Sequence, residues 1–351
     1  MKDLAPKAAI WLGVLVALAL FLFAARLLGA ATEAFSPVVE LYLDRIVTSD
    51  SSALGVSWLA AYGLMNGSVV AAVSVAFFHA ELVSPTQFFL LVVVGRLGAS
   101  GVIVLIGGLE FLQERQGSVM ESVSMGILSF LVTQTIYLPA TAVGYITLDW
   151  LLSTFPAVEL ADDSGGAKSM NGTATDALVD YLGAAPTFLL AVVLLFLSLR
   201  LFDAVLDKVD TEQLRHHFRD KFESRWFPFV LGLVVTVVTA SIVFSVGIVV
   251  PLYNRDTVDL DDIVPYIMGA NISTFVDTVI VGVALGAADA LIVVTWFIVV
   301  LALVTGLALA FYRPYFTFVE TLLTHTVENR VVFFAFFVLV VAVPGLLIFV
   351  Q

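Results

Sequence analysis

Residues 269–278 read G-A-N-I-S-T-F-V-D-T, and residues 95–104 read G-R-L-G-A-S-G-V-I-V. Both stretches lie inside apolar runs. Both interrupt those runs with glycine, small polar residues and a single charge, Asp277 in one and Arg96 in the other. An ionisable residue at bilayer depth is costly and marks a partner or a cavity. Matching interruptions in corresponding halves of a membrane chain point to a binding site between two repeats.

Composition supports reading the runs as membrane spans. Of 351 residues, 60% are hydrophobic and 13% charged, where a soluble domain carries about 25% charged residues. Residues 8–25, 122–148, 181–199, 226–254, 290–312 and 331–350 contain no charge at all. Each reaches about the 18 to 20 residues that cross a hydrocarbon core. The fold class expected is therefore an all-α polytopic membrane protein in the lipid bilayer of the cell membrane. A β-barrel would show short alternating segments instead.

The net charge of −13 sits in loops, at Glu159, Asp162 and Asp163 and again at Asp256, Asp259, Asp261 and Asp262. Nucleic-acid binding is not expected, because phosphate contacts need clustered cations. Two readings of the acidity stay open: ordinary solvated loops, or the carboxylate-rich surface of a high-salt organism, a halophile. The absence of cysteine excludes disulfides, thiolate metal sites and thiol redox chemistry. Lys2 and Lys7 precede the first apolar run, which is longer than a signal-peptide core and is followed by Arg26, so an uncleaved first helix is expected.

Charge also orders the chain. Lys208, Arg215, Arg219, Lys221 and Arg225 make the connection 203–225 basic, and the positive-inside rule places it in the cytoplasm, as Lys2 and Lys7 place the N-terminus. If every apolar segment crossed the membrane, those two signals would conflict. They agree if 53–80 is a re-entrant hairpin with a turn at Asn66-Gly67-Ser68, since non-helical backbone at that depth is permitted where protein encloses it. The same logic applied to 227–252, with Thr239-Ala240-Ser241 at its centre, makes two inverted repeats, each with a hairpin and a broken transmembrane helix. A plain tilted helix over 53–80, with the N-terminus outside, is the competing topology. The organisation expected is an N-terminal helix (1–52), repeat one (53–154), an acidic outer loop (155–183), a helix with a basic loop (184–226), repeat two (227–312), and a connection with a last helix (313–351).

The shift that lays Gly95 on Gly269 also lays Gly108 on Gly282 and Asn66-Gly67-Ser68 on Ala240-Ser241-Ile242. Glycine pairs carry weight here, because glycine marks close approach or special backbone angles. On these residues the chain resembles the sodium/phosphate cotransporter family, whose two inverted repeats each carry a Q-S-S-S hairpin tip and, some thirty residues later, a G-x-N-I-G-T-T break. Gly269-Ala270-Asn271-Ile272-Ser273-Thr274 is similar to the second break, with Ser273 in place of a glycine. Gly95-Arg96-Leu97-Gly98-Ala99-Ser100 stands at the first. Asn66-Gly67-Ser68-Val69 and Ala240-Ser241-Ile242-Val243 stand where the family has Q-S-S-S. The resemblance implies sodium-coupled symport of an inorganic anion such as phosphate. Two alternatives remain: a non-transporting membrane scaffold that kept the fold, or a carrier of sulfate or a dicarboxylate.

The candidate substrate and ion site is then Asn66, Gly67, Ser68, Arg96, Gly98 and Ser100 from one half, with Ser241, Gly269, Asn271, Ser273, Thr274, Asp277 and Thr278 from the other. Hydroxyl, amide and carboxylate oxygens at Asn271, Ser273, Thr274 and Asp277 suit Na⁺ as a coupling ion. Half-helix N-termini and the Arg96 guanidinium suit an anion. Arg96 and Asp277 have a second reading, an ion pair that locks the halves together. Thr133-Gln134-Thr135 is expected to hydrogen-bond between helices, and His216-His217 to lie on an interfacial amphipathic segment rather than in a metal site. No P-loop, H-E-x-x-H or G-x-S-x-G motif is present, so neither an enzyme nor an organic cofactor is expected. Oligomeric state is left open.

Overall fold

In lipid, a spanning segment satisfies its backbone only as a helix or a closed barrel. Every regular element among the described residues is a helix. The computed structural model describes residues 4–114, 117–155, 167–206, 224–239, 245 and 258–350. In order these form α1 (Leu4–Ile46), α2 (Asp50–Leu64), α3 (Gly67–His79), α4 (Pro85–Glu114), α5 (Gly117–Thr154), α6 (Ala167–Leu182), α7 (Ala184–Leu206), α8 (Trp226–Thr239), α9 (Leu260–Ser273), α10 (Val276–Leu285), α11 (Ala288–Ala310), α12 (Tyr312–Glu328) and α13 (Arg330–Leu347).

Among the described residues, seven stretches are long and apolar enough to cross a membrane, in α1, α4, α5, α7, α9 with α10, α11 and α13. The protein is a multi-pass membrane protein. Three of these stretches, α4, α5 and α9–α10, are largely buried, while α1, α7 and α13 expose most of their surface. Among the described residues, Asn66, Ser68, Arg96, Ser100, Asn271, Ser273, Thr274, Asp277 and Thr278 fall on the buried spans α4 and α9–α10 and on the hairpin packed against α4. The exposed helices carry apolar side chains outward, such as Leu15, Leu189 and Val338, as a lipid-facing shell must.

The stretch 53–80 is two helices joined by a tight turn. Met65 adopts a left-handed conformation with φ 50°, which ends α2. The Asn66 side-chain oxygen then accepts from the backbone N–H of Ser68 at 2.8 Å and of Val69 at 3.2 Å, an N-cap that starts α3. The two arms fold back on each other along α4. Going up α2, Ser57 donates to Leu91 O, a methyl on Gly98 would meet Ala61, and Tyr62 packs on Gly101. Going along α3, Gly67 lies on Gly95, yet the Phe78 ring stacks on Phe88 at 4.5 Å. So α2 runs with α4 and α3 runs against it. The base of the hairpin lies at the start of α4, where Gln87 Nε2 reaches Val47 O at 3.5 Å.

One expectation is corrected. The stretch 95–104 does not break its helix, for α4 is continuous from Pro85 to Glu114. Its glycines serve close approach instead. A Cβ on Gly98 would stand 2.7 Å from the Ala61 Cβ and 2.9 Å from Trp58 O, and a Cβ on Gly67 would stand 2.7 Å from Gly95 O. Small residues at such seams let backbones approach in membranes.

The second half does break. Helix α9 ends at Ser273 and α10 begins at Val276, with Thr274 and Phe275 in a turn between them. Helix α8 crosses α9 so closely that a Cβ on Gly232 would collide with Tyr266 O, and one on Gly269 with Phe229 O. The shift that superimposes the two glycine stretches lays α2 on α8 and α4 on α9–α10. The second proposed tip, including Ser241, lies outside the described residues, as do the basic connection 207–223 with His216-His217 and the acidic residues 156–166. Two expected connections contain helices. Helix α6 occupies the end of 155–183, and α12 fills most of 313–330 with Tyr312, Val319, Leu323 and Thr326 turned inward.

Proline inside a helix removes one donor and frees the carbonyl four residues earlier. Pro265 in α9 frees Asp261 O, which accepts from the Tyr312 hydroxyl at 2.5 Å. Pro344 in α13 frees Val340 O, which accepts from Tyr62 at 2.9 Å. Trp58 in turn donates to the Tyr62 oxygen at 2.8 Å. Each of these two defects thus becomes a bond to a neighbouring helix.

Candidate ion and anion site

The hairpin tip, the middle of α4 and the α9–α10 break meet at Arg96. Its side chain is 5% exposed. One terminal nitrogen, Nη1, donates to Ser68 Oγ at 2.7 Å and to Thr274 Oγ1 at 3.1 Å. The other, Nη2, pairs with Asp277 Oδ1 and donates to Thr278 Oγ1 at 2.8 Å. The Thr278 hydroxyl also donates to Asp277 Oδ1 at 3.0 Å. The guanidinium therefore joins α3 of the first half to the broken segment of the second. Arg96 and Asp277 are ion-paired across the two halves.

Local structure explains why these residue types sit here. Asp277 is in the first turn of α10, whose N-terminus has no side-chain cap. The positive end of the helix dipole there favours a negative charge. Ser68 lies in the first turn of α3, where an anion would likewise be favoured and where the Arg96 fork instead finds a hydroxyl. The Arg96 Cζ stands 5.6 Å from the centre of the Phe275 ring, a cation–π contact at low exposure. Phe275 packs on Tyr137 at 6.0 Å and on Phe297 at 5.2 Å. The aromatic layer holds the fork in one place and keeps the pair from water.

Two polar atoms in the cluster have no partner: Arg96 Nε and Asp277 Oδ2 are buried and make no hydrogen bond. An unsatisfied atom on a buried charge is expensive. Each member of the pair retains coordinating capacity that its present neighbours do not use.

Of the candidate residues, Ser68, Arg96, Thr274, Asp277 and Thr278 converge in one cluster. The other candidates among the described residues surround it in supporting roles. Asn66 caps α3, Gly67 and Gly98 let the hairpin approach α4, and Gly269 lets α8 approach α9. Ser100 bonds to Leu97 O at 2.7 Å, and Ser273 bonds to Gly269 O and Ala270 O at 3.2 Å. The Asn271 side-chain amide exchanges a hydrogen bond with Thr133 at 3.2 Å, and the Asn271 backbone carbonyl accepts from Tyr137 at 2.8 Å. So the set Asn271, Ser273, Thr274 and Asp277 divides: the first two side chains bond elsewhere, the last two meet Arg96. Thr133 and Thr135 do bond between helices, Thr135 to Tyr315 at 2.8 Å. Phe275 and Tyr137 were not singled out from the sequence. Aromatics in apolar runs carry no signal of their own, although Phe275 sits inside the quoted break.

Comparison with known families bears on what such a cluster is for. Residues 194–341 match the Na⁺/Pi-cotransporter family. The matched segment takes in α8 to α12, and with them Thr274, Asp277 and Thr278. No curated protein and no solved structure matches the chain significantly. The match covers less than half of the chain, and together with the apolar helices it supports a membrane transporter.

Proposed function

We propose that the protein is a secondary active transporter that carries an inorganic oxyanion, such as phosphate, together with Na⁺. The observation behind this reading is the Arg96 fork, buried where the hairpin tip meets the helix break. Guanidinium geometry matches an oxyanion with two parallel hydrogen bonds. The hydroxyls of Ser68, Thr274 and Thr278 would supply further donors to it. Asp277, with a free oxygen in a helix first turn, is the carboxylate that would hold Na⁺, with Thr274 and Thr278 oxygens beside it. Alternating access would come from the hairpin and α4 moving against α9–α10. An inverted relation of the two halves, with a cytoplasmic N-terminus, belongs to the same proposal.

The second reading is a membrane scaffold in which the Arg96–Asp277 pair is a permanent lock. It draws on the absence of Q-S-S-S at both tip positions. Uptake of radiolabelled phosphate into proteoliposomes separates the two. An inward Na⁺ gradient should raise uptake at least tenfold, and R96Q should abolish the stimulation. Equal uptake with and without the gradient, for phosphate, sulfate and dicarboxylates alike, would leave only the scaffold.

A further inference from the structure

We infer that the Arg96–Asp277 pair is a charge-exchange device that couples one monovalent cation to one monovalent anion, so that each transport cycle moves no net charge. The inference rests on the transporter reading above and deepens it.

Arg96 and Asp277, 5% and 4% exposed, are a buried pair of opposite charge where the hairpin tip meets the helix break. The site as it stands is neutral. Removing one member of such a pair strands the other charge in a poorly solvating environment, a penalty of roughly two to three and a half orders of magnitude in an equilibrium constant. An anion that displaced Asp277 from Arg96 would incur that penalty at Asp277. A cation that displaced Arg96 from Asp277 would incur it at Arg96. When both arrive together, the anion replaces Asp277 on the guanidinium and the cation replaces Arg96 on the carboxylate. No charge is stranded. Each ligand therefore raises the affinity of the other, as linkage requires.

The partnerless atoms give the exchange somewhere to begin. Asp277 Oδ2 can accept a cation, and Arg96 Nε can donate to an anion, while the Nη2–Oδ1 contact is still closed. The hydroxyls of Thr274 and Thr278 lie beside both charges and can turn an oxygen to the cation or a proton to the anion.

Stoichiometry follows from counting charges. The empty site is neutral, and the site loaded with one monovalent cation and one monovalent anion is also neutral. Both forms can reorient without dragging charge through the membrane field. A second cation would find no second carboxylate among the described residues that bond to Arg96. The monoanionic form of phosphate fits this count, and the sulfate dianion does not.

The test is Na⁺-driven phosphate uptake by the full chain in proteoliposomes, with the membrane potential clamped by a potassium gradient and valinomycin. Uptake should depend on Na⁺ with a Hill slope of one and be the same at 0 and −100 mV. A carrier moving one net positive charge inward would instead gain about 50-fold in accumulation over that interval. Such a gain, or sulfate carried as well as phosphate, overturns the inference and leaves the transporter standing. Absence of any Na⁺-dependent uptake removes the transporter and the inference with it. Binding to D277N gives an independent reading. With Asp277 neutral, phosphate should bind and raise the unfolding temperature without Na⁺, whereas wild-type protein needs Na⁺. The double variant R96Q/D277N, which strands no charge, should fold and bind neither ion. D277N that still requires Na⁺ to bind phosphate overturns the exchange.

Discussion

Two residues with no side chain set how close the second half can pack. Gly232 and Gly269 face the backbone carbonyls of Tyr266 and Phe229, at separations that leave no room for a methyl group. The obstacle in each case is backbone, which cannot rotate aside as a flexible side chain would. G269A should therefore lie at or above the upper end of the usual overpacking cost, about 1–3 kcal/mol. Gly63 is the matched control, since a Cβ there meets nothing within 4 Å and G63A replaces a helical glycine with the best helix former. Thermal unfolding in detergent, followed by size-exclusion chromatography, should show G269A unfolding well below wild type and G63A at or slightly above it. Equal unfolding temperatures for G269A and wild type would mean that α8 does not cross α9 at this glycine. The consequence reaches the site, because Gly269 is four residues from Ser273 and the start of the break. Moving α9 outward moves Thr274 away from Arg96.

At the scale of helices, the two proline–tyrosine contacts are the joints most open to test. Y312F removes the donor to Asp261 O and leaves a proline-freed carbonyl unpaired, a loss of about 1–3 kcal/mol. P265A supplies the missing N–H within α9, so Y312F should cost much less in a P265A background. A double-mutant cycle on unfolding temperature would measure this, and additive effects would show that the tyrosine is not compensating for the proline. These joints also mark what the sequence could reveal. Pro265 and Tyr312 are plain to see, but their partnership depends on how α12 packs, which no local pattern encodes. Charge-free runs identify α1, α5, α7, α11 and α13 as spans because lipid permits little else, and Asn66-Gly67-Ser68 identifies the turn because asparagine caps helices. The stretch 95–104 was ambiguous for a physical reason. Glycines spaced along an apolar helix look the same whether they break it or let another helix approach. What separates α4 from α9–α10 is the company they keep: α2 and α3 both press on the α4 glycines. In α9 only Gly269 is so pressed, and the following Thr274-Phe275 turn is held by Arg96 and the aromatic layer.

For the molecule as a whole, the path of the α2–α3 hairpin decides the topology of everything after it. The arms have 15 and 13 residues, so each is about 20 Å long, short of the roughly 30 Å hydrocarbon core. Placed end to end they could cross, but their opposite directions along α4 bring both ends of the hairpin to the same end of that helix. If α4 spans the membrane, the hairpin must leave on the side from which it entered. The three buried spans and the pair at Arg96 then face each other at mid-depth, which a crossing hairpin would not allow. The chain has no cysteine, so single cysteines can be read without background. Thr48 and Glu81 flank the hairpin and are both exposed. T48C and E81C should both react with a membrane-impermeant maleimide added to one side of sealed vesicles, and both should be protected from it on the other. Labelling from opposite sides would make 53–80 a crossing segment, reverse the sidedness of every later helix, and exclude the inverted repeat on which a midplane site depends.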